Sequence, residues 1–208
     1  MRQTVSRLLP VSSFIVLIFV FSVMRPQQAN AQARTPPPVP GDIHVEAGNK
    51  VFLAGHALGT QNYICLPAAS GFAYTLVGPQ ATLFNEGDHQ VMTHFLSPNP
   101  EEAGTARATW QDSVDSSAVW ARAIATSSDG AFVAPGAIPW LLLERVGARA
   151  GPNGAGKLTP TTFIHRLNTI GGIAPSTGCS VSSDVGRRAF VPYEADYFFY
   201  RAQNRKDD

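Results

Sequence analysis

Histidines are the side chains of this chain that could most directly bind a metal ion or move a proton. There are five: His44, His56, His89, His94 and His165. No two have the i, i+4 spacing with which a helix presents a pair of metal ligands. Three of them, His56, His94 and His165, lie in or beside an expected strand, so a sheet could bring them together with a carboxylate such as Glu144. The plainer interpretation, with no metal, is that each is an ordinary polar or half-buried residue.

A second stretch, "GPNGAGKLT", resembles the phosphate-binding loop of an ATPase. Gly151, Gly156 and Lys157 match the pattern G-x-x-x-x-G-K-[ST], but Leu158 stands where a hydroxyl must hold the magnesium ion. The residues that follow, with Pro160 and a β-branched run, look like a strand and not like the helix that would face the phosphates. We therefore expect a glycine-rich turn, no nucleotide and no other cofactor.

Nucleophilic catalysis has little support in the sequence. There is no G-x-S-x-G elbow, and Cys179 could act as a nucleophile only if it is unpaired. Cys65 and Cys179 are the only two cysteines, and in an exported chain such a pair indicates a disulfide. The alternative is two buried free thiols. We predict the disulfide.

Aromatic residues could form a sugar-binding surface. The tryptophans are Trp110, Trp120 and Trp140, and the last expected strand contains "DYFFY". In that strand Tyr197 and Phe199 share one face while Phe198 and Tyr200 share the other. Because both faces are apolar, we interpret it as a central strand, with the aromatic residues filling a core.

The N-terminal residues have the pattern of a secretory signal peptide. A basic start is followed by the uncharged run Leu8–Val23 and by alanines at positions 29, 31 and 33. We expect cleavage after Ala33 or after Ala31, with no membrane span afterwards. The predicted divisions are a signal peptide over residues 1–33, a proline-rich spacer over 34–42, a β-rich domain over 43–203 and a charged tail over 204–208.

The charge of the expected mature chain argues against a nucleic-acid partner. Removing residues 1–33 removes three arginines and no acid, which leaves 13 basic against 15 acidic residues and a net charge of −2. Binding to a phosphate backbone requires a basic patch, which this composition does not provide.

The sequence pattern predicts short β-strands along the body of the chain. Segments such as "FAYTLVG", "VMTHFLS", "TTFIHRLNTI" and "ADYFFYRA" are β-branched or aromatic, and glycine, proline, asparagine or aspartate bounds them. Only "PWLLLERVGARA" could be a short helix, and it could equally be a buried strand. We predict a single-domain, all-β, antiparallel β-sandwich, with a closed β-barrel as the alternative.

Several segments together resemble one protein family. They are "GNKVFLAGHALGTQNYIC", "THF" before a tryptophan, "AIPWLLLE", "TTFIHRLNTIGGIAP" and "VPYEADYFFY". This arrangement is similar to the domain of unknown function 3455 family of exported bacterial and fungal proteins, over roughly residues 48–200. The resemblance implies an exported β-rich domain and supplies no established activity. Some relatives carry a dehydrogenase label, but this sequence lacks the G-x-G-x-x-G pattern of an NAD site.

Two functional hypotheses follow. The first is a periplasmic or extracellular, non-catalytic β-sandwich that acts at the cell envelope as a binding or structural module, with a glycan or envelope component as its partner. The alternative is an exported enzyme with a His-centred and metal-dependent site.

Overall fold

The computed structural model describes residues 35–203. The predicted signal peptide and the charged tail lie outside the described residues. Within them the chain forms eight strands and no α-helix. The strands are β1 (Asn49–Ala68), β2 (Gly71–Phe84), β3 (Gln90–Asn99), β4 (Thr105–Asp112), β5 (Ala118–Ser127), β6 (Trp140–Arg149), β7 (Thr161–Gly171) and β8 (Arg188–Ala202). Three single 3-10 turns lie at Gly41–Ile43, Pro100–Glu102 and Ser182–Asp184.

The sheet is an antiparallel meander that closes on itself. Each strand pairs with the next in sequence, and β8 returns to pair with β1. This confirms the all-β antiparallel prediction in its closed-barrel form, and the two-sheet sandwich is not formed. β1 is 20 residues long and has bulges next to Val51 and Asn62, where a strand bends and twists. The register partners Gly59 and Ala81 are both small, which lets β1 and β2 approach each other closely at this point.

Apolar side chains fill one end of the barrel interior. Alternation along β8 turns Tyr193, Ala195, Tyr197 and Phe199 inward, as expected for a strand with period two. Other members of this inner core are Leu83, Met92, Trp110, Val119, Leu143, Leu158 and Ile164.

A second apolar layer covers the outer face of β6, β7 and β8. It consists of Ile43, Val133, Trp140, Leu142, Leu167, Phe198 and Tyr200. The segment that includes Val39 and Ile43 packs on this face, together with Phe132 and Val133 from the β5–β6 connection. β8 is therefore buried on both sides, as its two apolar faces predict. The stretch that could have been a helix is strand β6, which has the inner core on one face and this layer on the other.

Candidate functional site

The apolar core does not fill the whole barrel, and a cavity of about 430 Å³ remains in its interior. This volume lies within the range of about 300–1,000 Å³ that small-molecule pockets occupy. The polar lining residues are Gln61, His94, Arg107, Trp110, Arg122, Arg166 and Tyr197. The apolar lining comes from Leu76, Val77, Gly78, Pro79, Leu96, Ala106, Ala108, Ala121, Ala123, Leu141 and Leu143.

Strand register places the inner end of the cavity at an aromatic cluster. His94 lies opposite Trp110 in the β3–β4 pair, and their rings stack 4.1 Å apart at an angle of 9°. Tyr197 contacts both rings edge-on. Trp110 in turn packs against Phe199 of the filled core. These rings therefore form the floor of the cavity.

The rim of the cavity is apolar and exposed. Leu76, Val77 and Leu96 line it with exposures of 51, 54 and 43%. Between the floor and the rim, β4 and β5 contribute alanines, which leave the space open. The lining thus changes from polar and aromatic inside to aliphatic outside.

Three buried nitrogen atoms of the lining residues have no hydrogen-bond partner. They are Nε2 of Gln61, Nε1 of Trp110 and Nε of Arg166. Each carries an N–H donor, and leaving a buried donor unsatisfied costs about 1–3 kcal/mol. Buried polar groups are usually paired, so three unpaired donors at one cavity mark a site for an acceptor.

Arg166 is the one cationic lining residue without a carboxylate partner among residues 35–203. Its Nη2 donates to the carbonyl oxygen of Pro139 at 2.8 Å. By contrast, Arg107 pairs with Glu102 at 2.8 Å, and Arg122 pairs with Glu144. The charges of those two arginines are balanced, whereas the charge of Arg166 is not.

His94 is neutral at physiological pH. Burial lowers its pKa to about 3, although a hydrogen bond to the backbone opposes the shift. Its Nδ1 lies 2.9 Å from the carbonyl oxygen of Thr109, which can only accept, so Nδ1 carries the proton. The remaining ring nitrogen is then an acceptor with very low basicity.

The inner tyrosines are also neutral. Burial raises the pKa of Tyr197, and the positive charge of Arg166 only partly offsets that rise. Burial likewise raises the pKa of Tyr193, whose hydroxyl lies 3.4 Å from that of Tyr197. Among the inner lining residues, Arg166 therefore supplies the uncompensated charge, and it is positive.

A wider concavity of about 730 Å³ lies over β1, β2 and β3. Its lining includes Leu58, Thr60, Thr82, Thr93 and Phe95. It shares five residues with the interior cavity: Val77, Gly78, Pro79, His94 and Leu96. It contains neither an unpaired buried donor nor a charged side chain. The interior cavity is therefore the better candidate site.

The three histidines predicted as possible metal ligands do not share a site. His94 points into the barrel. His165 lies in the outer layer, where Nε2 donates to the carbonyl oxygen of Ile43 at 2.7 Å and Nδ1 lies 3.0 Å from the Tyr200 hydroxyl. No cluster of three or more potential ligands occurs within residues 35–203.

His56 lies on the outer side of β1 and contacts two carboxylates of β8. Its Nδ1 is 2.8 Å from Oδ1 of Asp196, and its Nε2 is 3.6 Å from Oε2 of Glu194. The side chain is about one-third exposed. Glu144 does not join any of the histidines, because it pairs with Arg122.

The stretch that resembles a phosphate loop closes the filled end of the barrel. Leu158 is fully buried in the inner core, which explains why an apolar residue occupies the hydroxyl position. Nζ of Lys157 is 2.9 Å from Oδ2 of the buried Asp112, an ion pair without the alignment of a good hydrogen bond. Gly151 is required because a Cβ there would overlap the carbonyl oxygen of Asp115. The loop is thus a structural turn, as its sequence predicts.

The predicted disulfide between Cys65 and Cys179 is present. It ties the end of β1 to the β7–β8 connection. Backbone hydrogen bonds from Cys65 to Arg187 and from Gly186 to Cys65 hold the same two segments together. All three tryptophans are buried: Trp110 lies in the inner core and Trp140 in the outer layer, as the second interpretation of the aromatic residues predicts, whereas Trp120 belongs to neither cluster and donates to the hydroxyl of Ser97.

Comparison with known proteins identifies a family but no function. A family model described as "Protein of unknown function (DUF3455)" matches residues 46–201. No curated protein and no solved structure matches the chain. Within residues 35–203, the structure contains no helix long and apolar enough to cross a bilayer.

Proposed function

This chain belongs to the DUF3455 family of proteins of unknown function, and we propose that it is an exported, non-catalytic barrel that binds a small molecule in its interior cavity. The observation that carries the proposal is the set of three unpaired N–H donors on Gln61, Trp110 and Arg166 at one cavity. A bound ligand with acceptor atoms would satisfy them and remove their energetic cost.

The chemistry of the lining supports binding rather than catalysis. Among residues 35–203, no aspartate, glutamate, serine or cysteine lines the cavity. The one imidazole, that of His94, has a pKa of about 3 and is hydrogen-bonded through Nδ1, so it is a poor general base at neutral pH. The His-centred enzyme requires converging imidazoles, and His56, His94 and His165 occupy three separate environments.

Two features support export. The first is the basic, apolar and small-residue pattern of residues 1–33. The second is the disulfide between Cys65 and Cys179, a bond typical of oxidising compartments. We place the protein in the periplasm or outside the cell, where it would serve as a binding module of the envelope.

Native mass spectrometry of the exported protein, purified under gentle conditions, tests the binding proposal. We expect a species heavier than the polypeptide by one small molecule, which is lost on denaturation. Ala108→Phe should abolish the extra mass by filling the cavity, whereas Ala131→Phe, at an exposed loop position, should retain it. A polypeptide that carries no ligand and gains none from an extract of its source cells would contradict the proposal.

N-terminal sequencing of the exported form tests the location. We expect the mature chain to begin at Arg34 or at Gln32. A form that retains Met1 in the membrane fraction would overturn the assignment of a cleaved signal peptide.

A further inference from the structure

We infer that the ligand is an amphipathic acid, with its carboxylate against Arg166 and its apolar chain directed to the rim formed by Leu76, Val77 and Leu96. This inference rests on the proposed function, because it names the class of molecule that would occupy the interior cavity. Three independent properties of the lining support it: its charge, its hydrogen-bonding capacity and the order of its side chains from floor to rim.

Charge selects an anion. Arg166 is the uncompensated cation of the lining, since His94 and Tyr197 are neutral and the other two lining arginines, Arg107 and Arg122, each have a glutamate partner. A partly buried charge without a partner is costly, and an opposite charge within reach relieves that cost. A cationic ligand would instead be repelled.

The unpaired N–H donors of the lining favour a ligand whose head group only accepts hydrogen bonds. The guanidinium of Arg166 donates through Nη2 to the carbonyl oxygen of Pro139 and interacts with the hydroxyl of Tyr197, but its Nε–H is unpaired. The other unpaired groups, on Gln61 and Trp110, are also N–H donors. An ionised carboxylate has acceptors only, and its planar shape fits the edge of a guanidinium. An alcohol would satisfy fewer donors and leave the positive charge without a partner.

The sequence of lining side chains from the floor of the cavity to its rim favours a ligand with an apolar tail. Beyond the aromatic floor the lining includes the alanines Ala108 and Ala121, and then the exposed rim residues. Exposed aliphatic side chains at a cavity mouth gain by covering apolar surface of a ligand. The tail would therefore leave the barrel between Leu76, Val77 and Leu96.

Isothermal titration calorimetry of the mature, oxidised protein with three ten-carbon probes tests the inference: decanoate, decanol and decylamine at pH 7.5. We expect decanoate to bind at least about tenfold more tightly than decanol, since hydrogen bonds between charged groups are stronger than those made by a neutral hydroxyl. We expect no binding of decylamine. Acetate should bind too weakly to measure, because it lacks the tail.

The variant Arg166→Gln measures how much the positive charge of Arg166 contributes to decanoate binding. We expect it to weaken decanoate binding at least about tenfold and to leave decanol binding within about twofold, so that the two probes bind alike. Arg188→Gln is the matched control, because Arg188 is exposed at the start of β8 and does not line the cavity. If the glutamine variant does not fold, Arg166→Lys, which keeps the charge and loses the planar fork, should still weaken decanoate binding.

The outcomes separate this inference from the proposed function. Two results would overturn the assignment of the ligand as an acid: equal binding of decanoate and decanol by the native protein, or unchanged decanoate binding by Arg166→Gln. Either result would leave the proposal of a ligand-binding barrel in place. Tighter binding of decyl phosphate than of decanoate, dependent on Arg166, would overturn the carboxylate in favour of a phosphate. Failure of every probe, together with an empty protein in native mass spectrometry, would overturn the proposed function itself.

Discussion

His94 shows how a single buried side chain can make the stability of the fold depend on pH. Its ring is held between Trp110 and Tyr197, and its pKa falls to about 3 because burial disfavours the charged form. The unfolded chain binds a proton at this histidine near pH 6.5, whereas the folded chain does not until about pH 3. Between these two values, lowering the pH favours the unfolded chain.

We therefore predict that His94→Gln removes part of the acid sensitivity of the protein. From pH 7.5 to pH 5 the free energy of unfolding of the native protein should fall by about 2 kcal/mol more than that of the variant, since one pKa unit corresponds to about 1.36 kcal/mol. Urea unfolding at both pH values measures the difference. Burial also lowers the pKa of His165, but that contribution is common to both proteins. Equal pH dependence of the two proteins would contradict the prediction.

Individual site residues could be predicted only in part. The disulfide follows from two cysteines in a chain with a predicted signal peptide, and the structural role of "GPNGAGKLT" follows from Leu158. The sequence did not identify Arg166. Both faces of β7 carry apolar residues, so alternation does not show which face of the strand points inward. Phe163, His165 and Leu167 lie on one face, and Ile164 and Arg166 lie on the other. A lone arginine on one face of such a strand is the signal that could have identified it.

Closure of the sheet into a barrel depends on features that the alternation of apolar and polar residues does not reveal. The sequence predicted most of the strands from alternation and turn residues, but the same alternation fits a sandwich and a barrel. Closure depends on the length of β1, on its bulges and on the close approach of β1 to β2 at Gly59. These are three-dimensional requirements, and in the sequence a glycine within a strand indicates only a bulge or a close contact.

We predict that Gly59→Ala weakens this strand pair severely. A Cβ at position 59 would lie 2.5 Å from Cβ of Ala81 and closer still to the carbonyl oxygen of Gln80. The backbone must shift to accommodate it, which costs about 2–3 kcal/mol or more in a packed interior. Thermal unfolding followed by circular dichroism measures the loss.

The matched control is Gly130→Ala, because a Cβ at that position has no neighbour within 4 Å. That variant should change the free energy of unfolding by no more than about 0.5 kcal/mol. If the two variants were equally stable, close packing between β1 and β2 would not be what requires glycine at position 59.

At the scale of the whole molecule, the disulfide closes a long loop that includes most of the barrel. Cys65 and Cys179 are 114 residues apart in sequence, and their α-carbons are 5.5 Å apart. In the chain-entropy model a loop of this length stabilises the folded state by about 4–5 kcal/mol, which is an upper value because residual structure in the unfolded chain reduces it.

Cys65→Ser and Cys179→Ser should each lower the melting temperature by many degrees, and the double variant should be no less stable than the single ones, because each change removes the same bond. Differential scanning calorimetry of the three variants measures this. Mass spectrometry of the unreduced, alkylated native protein provides the control. Two alkylated cysteines per chain would contradict the bond.

The pairing of the first strand with the last also sets the order of events during synthesis. β1 has no partner on one side until Arg188–Ala202 has been made, so no shorter N-terminal fragment can complete the barrel. The other seven strand pairs join consecutive strands, so closure of the barrel is the one pairing that must bring distant parts of the chain together. For the export proposed above, the consequence is that the barrel stays unclosed until the C-terminal strand has also reached the far side of the membrane.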